Sequence, residues 1–199
     1  MLIKKYFEII TNDLIINENK LNKLDAAIGD GDYGSNVVKG FKYILDQSSS
    51  FTQTSSLQSD LMTCAKQFMD KIGGSSGFLT GVVFMALAQS FQNKITITNQ
   101  DIGNALKAAC ERISQLGKTK VGEKTMLDAL YPAAIAMCAT TDVNINFVKA
   151  AEAAHLGAES TINMKATKGR SSYLGERSIG HMDPGACAIA IIFKSLTKI

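Results

Sequence analysis

The chain has little proline, no tryptophan and few cysteines. It contains two prolines and four cysteines in 199 residues, and no two cysteines form a C-x-x-C pair. Isolated cysteines among small and apolar neighbours are typical of buried side chains, so the sequence indicates neither a disulfide framework nor a zinc site. Because proline interrupts helices, its scarcity favours long helical segments.

Long apolar runs and an excess of one charge are also missing. No stretch approaches the roughly 18 apolar residues of a membrane span. The N-terminal segment carries Lys4, Lys5 and Glu8, unlike a signal peptide. The net charge is only +3 and no basic stripe occurs, which argues against nucleic-acid binding. We therefore expect a cytoplasmic protein without membrane or nucleic-acid partners.

Apolar residues recur at helical spacing along most of the chain. The one strand-like fragment, 95–98, is interpreted as a loop, and the Ser/Thr/Gln-rich stretch 47–56 as a mobile connection. The pattern predicts a single all-α domain over residues 1–199. Its eight predicted helices cover residues 2–22, 34–46, 56–72, 76–92, 99–116, 124–139, 144–164 and 184–198.

Polar residues and proline mark several predicted helix ends. Thr98 or Asn99 caps the fifth helix, and Gly117 closes it. Asp183 is predicted to cap the eighth helix, with Pro184 in its first turn. Pro132 either kinks the sixth helix or marks its true start.

The most informative segment follows the first predicted helix. Asp25, Asp30 and Asp32 lie within eight residues and alternate with glycines. Carboxylates gathered in one loop are typical of a site for a hard cation, which prefers oxygen ligands. A solvated turn is the alternative interpretation of an isolated Asp-Gly-Asp sequence.

Glycine-rich segments join several of the predicted helices. These segments, 29–36, 73–77, 117–125 and 167–185, also carry serine, threonine, aspartate or arginine. A helix N-terminus offers unpaired N–H groups and a partial positive charge, and so suits phosphate. Several such ends beside a magnesium-binding acidic loop predict a site for a metal-bound polyphosphate.

Two familiar phosphate motifs do not fit. Residues 117–119 read Gly-Lys-Thr, but a Walker A loop needs a glycine five positions earlier, where Arg112 stands. Residues 29–34 match the dinucleotide fingerprint by letter, but no strand is predicted before them. His155 is interpreted as a helix-surface or core residue, whereas a functional role for His181 stays open.

Four segments together resemble the nucleotide-binding L subunit of dihydroxyacetone kinase. The resemblance extends from about residue 21 to the C-terminus, and its four motifs occur in the family's order. They are Leu24–Asp32, Gly73–Gly77, Gly122–Asp128 and Ala166–Ala186.

The resemblance implies a barrel of eight antiparallel amphipathic helices with a nucleotide and metal site at one rim. It assigns Asp25, Asp30 and Asp32 to two Mg²⁺ ions, and counts them with the phosphate-binding Arg170 as catalytic. It assigns the remaining nucleotide contacts to a larger set of residues. These are Tyr33, Gly34, Ser35, Asn36, Ser75, Ser76, Gly117, Met126, Asp183, Pro184 and Gly185.

The resemblance also implies an activity and partners. In the phosphotransferase-system type, ATP on the L subunit phosphorylates dihydroxyacetone held covalently by a K subunit. ADP stays bound and is rephosphorylated by a phosphohistidine-carrying M subunit. The absence of a fused K domain favours this resident-ADP type, and a homodimer is left open. Tyr33 replaces a histidine common in the family, which favours the alternative of a non-catalytic, Mg–ADP-loaded regulatory paralogue that binds another protein.

Overall fold

The computed structural model describes residues 2–48, 51, 56–139 and 143–198. Within these ranges the chain forms helices and no strand, which confirms the all-α prediction, and 95–98 is a loop. The predicted mobile connection, 47–56, falls mostly outside the described residues. The α-helices are α1 (Leu2–Ile28), α2 (Tyr33–Gln47), α3 (Leu57–Lys71), α4 (Gly74–Ser90), α5 (Asn99–Gly117), α6 (Leu127–Ala136), α7 (Val143–Ser160) and α8 (Pro184–Leu196).

The helices form a closed ring. Each helix contacts the next one along the chain, and α8 returns to contact α1. Two 3-10 segments, Thr161–Asn163 and Arg170–Ser178, lie between α7 and α8. The ring fits the predicted barrel. None of the helices in the described ranges combines the length and the apolar character needed to cross a lipid bilayer.

Two packed regions fill the ring. The first is aromatic: the rings of Phe7, Phe41, Phe68 and Phe84, contributed by α1 to α4, lie with centroids 5.3–6.5 Å apart. The second lies among α4 to α8, and buried alanines of α6 and α7 let those two helices approach closely. These regions hold the helices in place and leave their ends to build the site.

The first helix is longer than the sequence predicts. It continues to Ile28, so Asp25 lies in its last turns instead of in the following loop. Leu14, Leu21 and Ile28 are buried at intervals of seven residues and keep the helix packed against the core over this length. The added residues include Leu24, Ala26 and Ala27, which are good helix formers, and Gly29 follows the last added residue, so helix propensity and burial both support the longer helix.

Other helix ends also differ from the prediction. The sixth helix begins at Leu127 instead of residue 124, and Pro132 lies inside it. The seventh ends at Ser160 and continues as a 3-10 segment. The predicted caps at Thr98 and Asp183 are present. At the end of α5, however, the left-handed residue is Lys118 (φ 46°), one position after the predicted glycine.

Candidate functional site

The three predicted carboxylates come together at the junction of α1 and α2. One ligand oxygen from each of Asp25, Asp30 and Asp32 lies within 4.8 Å of those of the other two. Asp25 is buried in α1, whereas Asp30 and Asp32 are exposed in the connection. Hard cations prefer such oxygen donors, so this arrangement fits Mg²⁺.

Asp25 also shapes the connection itself. Its Oδ2 accepts hydrogen bonds from the backbone N–H groups of Gly31, Asp32 and Tyr33 at 2.9–3.1 Å. Gly31 has φ +83°, a conformation that favours glycine. Burial raises the pKa of Asp25 and the charge of Asp30 adds to this, while the three N–H groups act in the opposite direction. The carboxylate thus both folds the connection and faces the cluster.

A cavity of about 700 Å³ opens beside the carboxylates. Its wall includes the C-terminal ends of α1 and α5 and the N-terminal ends of α2, α4 and α8. Odd-numbered helices thus end, and even-numbered helices begin, at the same rim, as in an antiparallel ring. The helix N-termini place unpaired N–H groups and partial positive charge around the cavity, which suits phosphate.

Most of the predicted site residues line this cavity. They are Asp25, Asp30, Asp32, Tyr33, Asn36, Ser75, Ser76, Gly117, Met126, Arg170, Asp183, Pro184 and Gly185. Gly34 and Ser35 lie instead on the side of α2 that faces α1. The Ser35 hydroxyl donates to Glu18 at 2.9 Å, and its backbone N–H donates to Asn22 at 3.0 Å. A Cβ on Gly34 would lie 2.4 Å from the carbonyl oxygen of Glu18. Gly34 therefore allows α1 and α2 to pack closely.

Arg170 reaches the carboxylate cluster from a distant part of the chain. Its Nη1 lies 2.6 Å from Oδ2 of Asp30, and the two side chains are 71% and 41% exposed. The sequence predicted that Arg170 binds phosphate, with a structural salt bridge as the alternative interpretation, but it did not identify Asp30 as the partner. An exposed pair of this kind contributes only about 0–1 kcal/mol to stability, so the pair can separate when a ligand enters.

Part of the cavity wall is apolar. Leu79, Ile113 and Leu116 belong to helical stripes but face the cavity, together with Ile28 and Phe78. Phe78 and Leu116 remain exposed. An apolar surface between helix ends suits the flat face of a nucleobase. Their proximity to the glycine-rich segments is the feature of the sequence that could have indicated a place in the cavity wall.

The loop before α6 is organised by Asp128, which the sequence analysis did not assign to the site. Its buried carboxylate accepts hydrogen bonds from the N–H groups of Gly122 and Thr125. The Thr125 hydroxyl in turn accepts a hydrogen bond from the N–H of Leu127 at 3.2 Å. These contacts hold Met126 in the cavity wall.

Lys124 is a second residue that sequence reasoning missed. It is 1% exposed, and its Nζ donates to the carbonyl oxygens of Thr161 and His181. Burial lowers its pKa, while the charges of Asp183 and Asp128 raise it. Lys124 therefore ties the loop before α6 to the segment that leads into α8. Its position inside the Gly122–Asp128 motif is the feature of the sequence that could have indicated a role near the site.

Asp183 caps α8 beside the cavity. Its Oδ1 accepts a hydrogen bond from the N–H of Ala186 at 2.7 Å, and its own N–H donates to the hydroxyl of Thr161 at 2.9 Å. Burial raises the pKa of Asp183 from 3.8 to about 7, although the Ala186 N–H and the charge of Lys124 oppose the shift. The cap therefore changes charge near neutral pH.

The raised pKa gives a testable pH dependence. In the ligand-free protein, we expect the Asp183 carboxyl to titrate with a midpoint near 7, against 3.8 in the unfolded chain. The folded state then binds the proton more tightly. The resulting contribution to stability is complete below about pH 4 and is lost as the pH rises through about 7.

Carbon NMR of the labelled carboxyl groups measures the midpoint. Asp183→Asn retains an oxygen for the cap and serves as the control, because it removes both the signal and its contribution to the pH dependence of stability. A midpoint below about 5 would contradict the assignment.

Comparisons with known proteins identify the family of the chain. A DAK2 domain model matches residues 27–198. A probable dihydroxyacetone kinase of Dictyostelium discoideum is 40% identical over all of this chain, which covers 33% of that protein. The PEP-dependent dihydroxyacetone kinase 1, ADP-binding subunit DhaL, of Listeria innocua is 37% identical, and the match covers 92% of this chain and 89% of that subunit.

A solved structure shares the fold. The crystal structure of the dihydroxyacetone kinase from C. freundii in complex with AMP-PNP and Mg²⁺ matches with a TM-score of 0.79 and 29% identity. The match covers 99% of this chain and 33% of the crystallised chain. This chain thus spans about a third of the crystallised kinase and of the Dictyostelium relative, but about nine tenths of the Listeria subunit. The chain belongs to the DAK2 domain family.

Proposed function

We propose that this chain is the ADP/ATP-binding L subunit of a phosphoenolpyruvate-dependent dihydroxyacetone kinase. The observation that carries the proposal is the cluster of Asp25, Asp30 and Asp32 at a cavity whose wall also contains helix N-termini and Arg170. A relative of nearly the same length is an ADP-binding subunit of such a kinase. The reaction transfers a phosphoryl group from Mg-bound ATP to dihydroxyacetone on a K subunit.

The cavity has two regions: a polar side that binds the metal ions and phosphates, and an apolar side that binds the base. Asp25, Asp30 and Asp32 would hold two Mg²⁺ ions, which when bound offset the negative charge of the phosphates. Ser75 and Ser76, in the first turn of α4, direct backbone N–H groups toward a phosphate. The base occupies the apolar side, between Leu116 and neighbouring side chains.

Arg170 stabilises the charge that develops on the transferred phosphoryl group. Its planar guanidinium can donate two parallel hydrogen bonds to phosphate oxygens, which lysine cannot do. Positively charged donors and metal ions supply most of the stabilisation in phosphoryl transfer. We assign the group that accepts the substrate proton to the K subunit, because Asp25, Asp30 and Asp32 would be engaged by metal ions and the Asp183 carboxylate caps α8.

The partners follow from this division. The K subunit holds dihydroxyacetone covalently and faces the cavity mouth, where Arg170 is exposed. The M subunit, carrying phosphohistidine, rephosphorylates the bound ADP in place. The chain therefore cycles between its ADP and ATP forms without releasing nucleotide.

A regulatory paralogue is the second candidate, and Tyr33 favours it. This residue lines the cavity where the family commonly has histidine. Its ring packs against the core, and its hydroxyl oxygen lies 3.4 Å from the position that a Cβ on Gly185 would take. The replacement leaves the three carboxylates in place, so Mg–ADP binding is expected in both candidates and phosphoryl transfer in only one.

Two measurements test the proposal. Native mass spectrometry of the freshly purified protein should show added mass equal to ADP with two magnesium ions. The protein should then form dihydroxyacetone phosphate when mixed with a K subunit, a phosphorylated M subunit and dihydroxyacetone. Bound ADP without product formation would select the regulatory candidate. Failure to bind Mg–ADP at all would overturn both.

A further inference from the structure

The ion pair between Arg170 and Asp30 places a positive charge inside the carboxylate cluster. The guanidinium Nη1 lies 2.6 Å from Asp30 Oδ2, and Asp30 is one of the three residues whose oxygens lie within 4.8 Å of one another. A divalent cation bound by the cluster would lie within a few ångströms of this guanidinium. At such distances two positive charges repel appreciably even in a high dielectric.

The other two carboxylates of the cluster differ from Asp30 in their partners. Asp25 is engaged by three backbone N–H groups. Asp32 begins α2 without a side-chain cap hydrogen bond in the part of the chain that the structure describes. Arg170 is thus the counter-ion of Asp30, and a free cation that binds Asp30 has to displace this guanidinium or bind against its charge.

Arg170 is free to change partners. Its side chain is 71% exposed, and it follows Gly169, whose φ is +64°. When a cation arrives already bound to a diphosphate, the guanidinium exchanges the carboxylate for phosphate oxygens and keeps a strong hydrogen-bonded partner. When a cation arrives alone, the guanidinium loses the Asp30 carboxylate and gains no anionic partner in exchange.

We propose that Arg170 is a specificity residue that makes this site select a divalent cation bound to a nucleoside diphosphate over the free cation. Its pairing with Asp30 weakens the binding of the metal alone, and its transfer to phosphate strengthens the binding of the metal–nucleotide complex. The inference rests on the proposed nucleotide function. It also predicts directions: removing Arg170 should raise the affinity for the free cation and lower the affinity for the cation–nucleotide complex.

The test uses nucleotide-free full-length protein and Mn²⁺ as the probe. Electron paramagnetic resonance of unbound Mn²⁺ gives the affinity for the metal alone, and isothermal titration with Mn–ADP gives the affinity for the complex. For Arg170→Ala we expect Mn²⁺ alone to bind about five- to tenfold more tightly at low ionic strength, because a neighbouring positive charge has been removed. We expect Mn–ADP to bind at least about threefold more weakly.

Arg177→Ala is the matched control. Arg177 is exposed in the same 3-10 segment and carries the same charge, but it is not part of the cavity wall. Its removal should leave both affinities within about twofold of the unmodified protein. The difference between the two variants should shrink in 0.5 M salt, at which exposed charges are screened over about 4 Å. Arg170→Gln repeats the test with a neutral side chain of nearly the same length.

The outcomes separate the two proposals. Tighter Mn²⁺ binding with weaker Mn–ADP binding in the Arg170 variants supports the inference. Unchanged or weaker binding of Mn²⁺ alone overturns it, even if Mn–ADP binding is lost. Failure of the unmodified protein to bind Mn–ADP would overturn the proposed function itself, and the inference with it.

Discussion

Asp32→Asn is expected to abolish retention of Mg–ADP while leaving the free energy of unfolding of the nucleotide-free protein nearly unchanged. Asp32 is exposed, and no side-chain cap hydrogen bond to α2 is found for it among the described residues. The substitution keeps the size of the side chain but removes a charged ligand from the cluster. Removing a residue that only hydrogen-bonds to a metal ligand already lowers metal affinity about 10- to 100-fold, and removing the ligand itself should lower it further. We therefore expect at least about a 100-fold loss of Mg–ADP affinity, measured by isothermal titration.

Asp25→Asn provides the contrast. The Asp25 carboxylate accepts three backbone hydrogen bonds as well as facing the cluster. Hydrogen bonds to a charged group contribute about 1.5–3 kcal/mol, so this variant should lose stability as well as ligand binding. If Asp32→Asn retained ADP through purification, as judged by native mass spectrometry, the cluster would not be the metal site.

Gly157→Ala is expected to destabilise the protein strongly and to disturb the site from a distance. A Cβ at this position would lie 2.0 Å from the carbonyl oxygen of Asp128. Pro132 has no N–H to offer that carbonyl inside α6, and α7 approaches it closely instead. Because the obstacle is backbone, relief requires the two helices to separate. Overpacking of this kind costs about 1–3 kcal/mol or more, which at about 2–4 °C per kcal/mol corresponds to a melting temperature lower by about 2–12 °C.

The same variant should weaken nucleotide binding, because the side chain of Asp128 holds the loop that carries Met126. Leu156→Ala, at an exposed neighbouring position of α7, is the control and should change stability by less than about 0.5 kcal/mol. Differential scanning calorimetry with Mn–ADP titration measures both effects. A melting temperature within about 2 °C of the unmodified protein would show that α6 and α7 can part at little cost.

The site could be predicted in part because some of its residues are neighbours along the chain. Asp25, Asp30 and Asp32 lie within eight residues, so any compact connection brings them together. The placement of Ser35 shows where this reasoning fails. Ser35 follows the acidic segment directly, but one position along a helix turns a side chain by about 100°, and its hydroxyl meets Glu18 instead of the cavity.

Residues contributed by distant segments were harder to predict. Leu116 continues an apolar stripe and would be assigned to the core by periodicity alone, yet the stripe extends past the packed region into the cavity. Lys124 was overlooked because lysine is rarely buried. Its carbonyl partners, Thr161 and His181, come from segments far along the chain.

The sequence by itself determined the helices, several of their caps and the acidic cluster, because helical periodicity, capping and short-range charge depend on residues a few positions apart. Tertiary packing decided that Arg170 meets Asp30 and that Lys124 joins two loops. Those contacts exist only after the ring of helices closes and brings distant helix ends to one rim.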